Sequence, residues 1–61
     1  MTDADRIEAL LDIVDETRSE NRDHSETLVV LGYAERRRNG FWPTTAGWNF
    51  LGDRGRPFDL S

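Results

Sequence analysis

Residues 28–51 have the sequence LVVLGYAERRRNGFWPTTAGWNFL, and this stretch decides the fold. An apolar run ends at Gly32, a residue that can take the left-handed conformation at the end of a helix without a Cβ clash. The next residues can run extended to Asn39-Gly40, the dipeptide that most strongly favours a type I′ hairpin turn. The stretch therefore predicts the end of a helix followed by a β-hairpin.

A return strand and a last helix follow the turn. Phe41 and Trp42 begin the strand, and Pro43 either ends it or places it at a sheet edge, because proline has no N–H to donate. Thr44 or Thr45 can then cap a short helix. The apolar residues of that helix are Trp48, Phe50 and Leu51, and the helix stops at Gly52.

The same stretch resembles the second half of a winged helix-turn-helix domain. In that family a recognition helix ends in a Leu-Gly-aromatic step, a β-hairpin wing follows, and the chain returns through a Thr-x-x-Gly helix start. The matching pieces here are Leu31-Gly32-Tyr33, the hairpin at Asn39-Gly40, Thr44 with Gly47, and Phe50-Leu51. The resemblance implies a small α+β domain of the order helix–helix–β-hairpin–short helix over residues 1–52, with residues 53–61 as a C-terminal tail.

The first half of the chain predicts two helices of unequal length. An apolar stripe at helical spacing predicts the first, from Thr2 to about Ser19, with Thr2 or Asp3 as its cap. Polar residues 19–25 (SENRDHS) form a loop, and the second helix runs from about His24 to Leu31. Its expected cap is Asp23 or Ser25.

A full winged helix-turn-helix normally has three helices before the wing. This chain has room for two, so either residues 19–25 hold a vestigial turn of helix or the helix-turn-helix is reduced.

The predicted core joins the stripe of the first helix to the apolar residues of the decisive stretch. It comprises Ile7, Leu10, Leu11, Val14, Leu28, Leu31, Tyr33, Phe41, Trp48, Phe50 and Leu51. Val29 and Val30 are expected to be partly covered. Trp42 alternates with Phe41 along its strand and is therefore predicted to be an exposed aromatic contact. Two alternatives remain for Phe58 and Leu60 in the tail: a disordered end, or docking onto the core or a second copy.

Size and composition exclude several classes of protein. The chain has 61 residues, enough for one small domain, and no cysteine for a disulfide or a thiolate zinc site. With one histidine and scattered carboxylates, we expect neither a metal nor a cofactor. No apolar run could span a membrane, and the acidic N-terminus is unlike a signal peptide. We therefore expect a soluble, cytoplasmic protein that does not contact membranes.

The charge pattern bears on the partner. The net charge is −4 and the pI about 4.7, which opposes long-range attraction to nucleic acid. All eight basic residues are arginines, a bias that either salt adaptation or a GC-rich genome would produce.

Catalysis has little support in the sequence. His24 and Ser25 are neighbours, and adjacent side chains on a helix point about 100° apart, which prevents a nucleophile–base pair. No glycine-rich phosphate loop precedes a helix. We expect a protein that is not an enzyme.

The strongest functional feature is the run Arg36, Arg37, Arg38 and Asn39 at the hairpin tip. The resemblance implies a wing whose arginines contact DNA phosphates or enter the minor groove. Strand alternation would place Arg36 and Arg38 on one face and Arg37 on the other, with Tyr33 and Glu35. The alternatives are a charged edge that prevents sheet-to-sheet pairing, or ion pairs with the acidic first helix.

The start of the second helix supplies candidates for a recognition helix. Arg22 could hold a phosphate, and His24, Ser25 and Thr27 lie where side chains could approach base edges. Asp23 and Glu26 oppose this because carboxylates repel phosphates. The alternative is an ordinary capped helix start.

Two functions from different classes remain. The first is a small DNA-binding transcriptional regulator that contacts duplex DNA and forms a homodimer. The second is a protein-interaction module without DNA binding, which serves in dimerisation or binds and inhibits a partner. In that case the acidic face of the first helix (Asp12, Asp15, Glu16 and Glu20) would face a basic protein or mimic DNA, or it is simply solvated.

Overall fold

A computed structural model describes residues 1–59 and confirms the α+β class and the predicted order of elements. The helices and strands are α1 (Asp3–Val14), α2 (Arg22–Leu31), β1 (Ala34–Arg37), β2 (Gly40–Pro43) and α3 (Thr45–Leu51). Two 3-10 turns follow, Gly52–Arg54 and Arg56–Phe58. Leu60, one of the two apolar tail residues, lies outside the described residues.

Helix α1 begins as predicted and ends earlier. Thr2 caps it: the Thr2 Oγ1 accepts from the Asp5 N–H at 3.1 Å, and the Asp5 carboxylate accepts from the Thr2 N–H at 3.2 Å. The helix ends at Val14 rather than near Ser19. Asp15 explains the early end, because its Oδ1 accepts from the Thr17 N–H at 2.9 Å and from the Thr17 hydroxyl at 2.7 Å. Such local bonds compete with a further helical turn.

The carboxylates of Asp5 and Asp15, at the two ends of α1, make the stability of the protein depend on pH in the acidic range. Hydrogen bonds from Thr2 lower the pKa of Asp5 below its ordinary 3.8, and hydrogen bonds from Thr17 lower the pKa of Asp15 in the same way. A pKa lowered by folding adds stability above the ordinary pKa, and this stability is lost as the pH falls through the lowered value. We expect urea unfolding midpoints to fall as the pH drops below about 4, and to fall less in Asp5→Asn and Asp15→Asn variants. An identical acid response in the variants would contradict this assignment.

Helix α2 begins earlier than predicted. Its cap is Asn21, whose Oδ1 accepts from the His24 N–H at 3.2 Å, so the predicted caps Asp23 and Ser25 are wrong. Asparagine is among the strongest capping residues, and it starts the helix at Arg22. Residues 15–21 contain no helical turn, so two helices precede the hairpin.

Gly32 ends α2 as the sequence predicted. It has a φ of 87°, in the left-handed region. In this conformation the Gly32 N–H donates to the Val29 carbonyl and the Tyr33 N–H donates to the Leu28 carbonyl at 2.9 Å. These bonds satisfy the last carbonyls of α2 and turn the chain directly into β1.

The hairpin forms, but its turn is one residue earlier than predicted. Strands β1 and β2 pair antiparallel, and the last pair is Arg37 with Gly40, which leaves Arg38 and Asn39 as the loop. Among the described residues no side-chain-bearing residue has a positive φ, so Asn39 is not in the type I′ conformation. Arg38 therefore belongs to the turn and does not share a strand face with Arg36.

The core lies between α1, α2 and the start of the hairpin. The buried apolar residues are Ala9, Leu10, Leu11, Val14, Leu28, Ala34 and Leu51. Eight partly buried hydrophobic residues of the described chain pack against them, and Val29 is among these as expected. They are Ile7, Ile13, Val29, Tyr33, Trp42, Trp48, Phe50 and Phe58. The alanines were missed because small residues add little to an apolar pattern, yet they allow close approach of backbone to backbone.

Four of the burial predictions are wrong, those for Val30, Leu31, Phe41 and Trp42. The inward face of α2 is centred on Ser25 and Leu28, so the last turn leaves Leu31 42% exposed and Val30 86% exposed. The two hairpin aromatics are exchanged. Trp42 packs against the core with its ring edge-to-face on Trp48 at 5.8 Å, whereas Phe41 is half-buried outside the core cluster.

Helix α3 is held to the segment between α2 and β1. The Thr44 N–H donates to the Tyr33 carbonyl at 3.0 Å, and the Thr44 hydroxyl donates to the Gly32 carbonyl at 2.7 Å. The same hydroxyl oxygen accepts from the Gly47 N–H at 3.2 Å, so Thr44 is the cap. Phe58 returns from the second 3-10 turn and packs against the core, the docking alternative for the tail.

In residues 1–59 no helix combines the length and the apolar character needed to cross a bilayer.

Candidate nucleic-acid interface

Four arginines surround one open cleft between the hairpin and the start of α2. The cleft has a volume of about 380 Å³ and is lined by Glu20, Arg22, Arg36, Arg37, Arg38, Gly40 and Phe41. Arg36 and Arg37 are the last two residues of β1, and the turn that follows adds Arg38. Arg22 joins them because α2 starts beside the hairpin. The fold thus concentrates positive charge in a protein whose net charge is −4.

Three of these arginines have carboxylate partners on the surface. Glu26 Oε1 lies 3.5 Å from Arg22 Nε and 3.8 Å from Arg36 Nη2, so it links α2 to β1. Glu35 Oε1 accepts from Arg37 at 2.7 and 3.0 Å, which agrees with the expected shared face. The side chains stay exposed, 83% for Arg22 and 69% for Arg36. Ion pairs this exposed are worth at most about 1 kcal/mol and exchange readily.

Arg38 at the hairpin tip differs from the other three arginines of the cleft. Within residues 1–59, Arg38 forms no ion pair, and it projects from the turn beside exposed Asn39. Asn39 also lines an adjoining cleft of about 460 Å³ that includes Ile13 and Trp42. A planar guanidinium at a hairpin tip suits contact with a phosphate or entry into a minor groove.

The remaining candidate residues on α2 divide between surface and core. His24 and Thr27 are exposed on the face away from the core, and the Thr27 hydroxyl donates to the Asp23 carbonyl at 2.9 Å. Ser25 is 1% exposed, and its hydroxyl donates to Glu20 Oε1 at 3.0 Å. Ser25 therefore holds Glu20 in place and does not reach a ligand.

Sequence reasoning missed two residues of the cleft, Glu20 and Phe41. Glu20 was assigned to the acidic face of the first helix, which was wrong because α1 ends at Val14 and Glu20 lies in the loop before α2. Phe41 was assigned to the core, because the face of a strand residue depends on the register with its partner strand, which no local pattern shows.

Arginines of the same protein partly neutralise the acidic surface of α1. Arg18 lies across it, with contacts of 2.9 Å to Glu8, 3.4 Å to Asp12 and 3.6 Å to Asp15. Hydrogen bonds to Glu8 and Asp12 raise the pKa of Arg18. Arg54 also approaches Glu8, at 3.7 Å. This network favours a solvated, ion-paired surface over a mimic of DNA charge.

No group of three or more metal-ligating side chains comes together in the part of the chain that the structure describes. The cleft contains guanidinium donors, the carboxylate of Glu20 and the ring of Phe41. Guanidiniums bind anions and an aromatic ring stacks on planar groups, so these side chains suit a ligand that has both.

Comparison of the chain with protein families, with curated proteins and with solved structures gave no match.

Proposed function

We propose that this protein is a small DNA-binding regulator of reduced winged-helix type, acting in the cytoplasm as a homodimer. The observation that carries the proposal is the cleft at the hairpin, where Arg22, Arg36, Arg37 and Arg38 converge. The arginines of the wing would bind phosphates of duplex DNA, and Arg38 with Asn39 at the tip would reach furthest. No chemistry on the bound DNA is part of this function.

Exchange of ion pairs makes this binding feasible despite the negative net charge. On DNA, Arg36 and Arg37 would leave Glu26 and Glu35 for phosphate oxygens. The lost surface pairs contribute little, whereas each phosphate contact releases a condensed counterion. Glu26 and Glu35 then face the DNA and limit affinity, so we expect binding that is weak and sensitive to salt.

Helix α2 would contribute positioning more than sequence discrimination. His24 and Thr27 are its exposed polar residues on the outward face, and Arg22 flanks the cleft. Asp23 lies beside them and disfavours deep insertion into a groove next to phosphates. We therefore assign the main contact to the wing and a supporting contact to the start of α2.

A charge-matched pair of double variants tests this function. Arg37→Ala with Arg38→Ala is expected to weaken binding to labelled duplex DNA about tenfold or more at low salt, because two phosphate contacts are lost. The control, Arg54→Ala with Arg56→Ala, removes the same charge from the tail and should change affinity by less than about threefold, since it acts only through the distant field. Fluorescence anisotropy titrations provide the measurement. Equal losses in both double variants would contradict a specific wing contact.

A second candidate, a protein-interaction module, is favoured by one observation. Val30 and Leu31 are large apolar residues exposed side by side at the end of α2. Apolar side chains placed this way suit a protein surface better than a phosphate backbone. Concentration-dependent association that Val30→Asp abolishes, together with no retention of DNA at any salt, would favour this candidate.

A further inference from the structure

Phe41 occupies an unusual place for an aromatic residue in so small a domain. It is half-buried, does not belong to the core cluster, and lines both clefts beside the hairpin. Its partner across the hairpin is Arg36, and the other cleft residues include Arg37 and Arg38. An aromatic ring bordered by guanidiniums is the arrangement that proteins use to stack a base while holding its phosphates.

Glu20 adds a directed acceptor to the same cleft. One carboxylate oxygen, Oε1, accepts from the buried hydroxyl of Ser25 at 3.0 Å. The other, Oε2, faces Gly40 and would lie 3.7 Å from a Cβ at that position. Because Ser25 is buried, this hydrogen bond directs the second oxygen of the exposed Glu20 towards the cleft. A carboxylate among arginines would repel a phosphate there, but it accepts well from an amino group.

We propose that this cleft binds an unpaired nucleotide, with its base stacked on Phe41 and an exocyclic amino group donating to Glu20. The flanking phosphates would lie against Arg36 and Arg38. The inference rests on the proposed function, because the same arginines serve both. Beyond that function, we infer that the preferred partner is a single-stranded segment whose bases carry an exocyclic amino group, such as cytosine.

Only an unpaired base can use both features. In a duplex the faces of each base are covered by its neighbours, and the pairing edge is engaged by the other strand. In a single strand the face is free to stack on the aromatic ring, and the amino group of cytosine is free to donate to the carboxylate. Thymine presents no amino group and would meet Glu20 with a carbonyl oxygen.

The first test concerns the ring. Phe41→Leu is expected to lower affinity for labelled oligo-dC about tenfold, while affinity for a blunt duplex changes by less than about twofold. Phe41→Tyr should retain the affinity for oligo-dC, since it keeps an aromatic face. Circular dichroism and urea unfolding of each variant establish that it is folded. Equal losses for the single strand and the duplex, or no loss for oligo-dC, would overturn the proposal.

The second test concerns Glu20 as the acceptor, and it measures the preference for oligo-dC over oligo-dT. The wild type is expected to bind oligo-dC about fivefold more tightly than oligo-dT. Glu20→Gln keeps an oxygen for Ser25 and turns an amide N–H₂ towards the cleft, so this preference should disappear while binding to both strands tightens. An unchanged preference in Glu20→Gln would overturn the assignment of Glu20.

The outcomes for duplex and single-stranded DNA separate the nucleotide site from the proposed function. If the wild type binds the duplex but binds oligo-dC no better, the nucleotide site is refuted and the proposed function stands. If it binds neither form at any salt, both are refuted.

Discussion

Gly47→Ala is expected to destabilise this protein by about 3 kcal/mol or more, although alanine is the better helix former by about 1 kcal/mol. Gly47 lies in α3, and a Cβ there would overlap the backbone carbonyl oxygen of Tyr33 and come within 3.2 Å of the Pro43 Cβ. The Tyr33 carbonyl accepts from the Thr44 N–H at 3.0 Å. Helix α3 would therefore have to move away and lose this bond, and no rotation of a side chain can relieve the overlap.

Ala46→Gly is the matched control, one residue earlier in the same helix. Ala46 is exposed in the first turn of α3, so the change should cost at most the propensity difference of about 1 kcal/mol that applies inside a helix. Urea unfolding followed by circular dichroism gives both values. If Gly47→Ala were less destabilising than Ala46→Gly, the close approach of α3 to Tyr33 would be contradicted.

Leu28→Ala is the second change with a large expected effect. Leu28 is 0% exposed, and its backbone carbonyl also accepts the Tyr33 N–H that closes α2. Truncation of a fully buried leucine costs about 2 to 5 kcal/mol, through lost burial and the cavity left behind. Small domains have about 5 kcal/mol of total stability, so we expect this variant to keep only about 0 to 3 kcal/mol and to unfold at a much lower temperature than the wild type.

Val30→Ala is the control for Leu28→Ala in the same helix. Val30 is 86% exposed, and its truncation should change the free energy of unfolding by less than about 0.5 kcal/mol. The thermal unfolding midpoints of the two variants make the comparison. A similar loss in both would mean that the packed face of α2 is misassigned.

Local signals in the sequence predicted the order of elements. Gly32, Thr2 and Thr44 act within a few residues of their own position, and each ends or caps the element that it was expected to end or cap. The end of α1 was misplaced because Asp15 and Thr17 form a local turn whose bonds outweigh one more helical turn. The start of α2 was misplaced because any of several polar residues in a loop could be the cap.

The candidate site was less predictable, since it depends on how distant segments meet. The arginine run and the shared face of Arg37 and Glu35 could be predicted from the sequence. The ion pair of Arg36 with Glu26 and the approach to Arg22 follow from the docking of the hairpin on α2. The exchange of Phe41 and Trp42 between surface and core follows from the strand register and from Trp48 on α3. No local pattern contains either fact.

The most direct test of the central claim, that the wing binds phosphates, is the salt dependence of affinity for duplex DNA. The wild type is compared with a variant in which Arg36, Arg37 and Arg38 are all changed to Ala. We predict a linear fall of log affinity with log salt for the wild type and a slope shallower by up to about 2.7 for the variant, since each phosphate contact contributes about 0.9. Identical slopes for the two proteins, or no binding by the wild type at low salt, would contradict the claim.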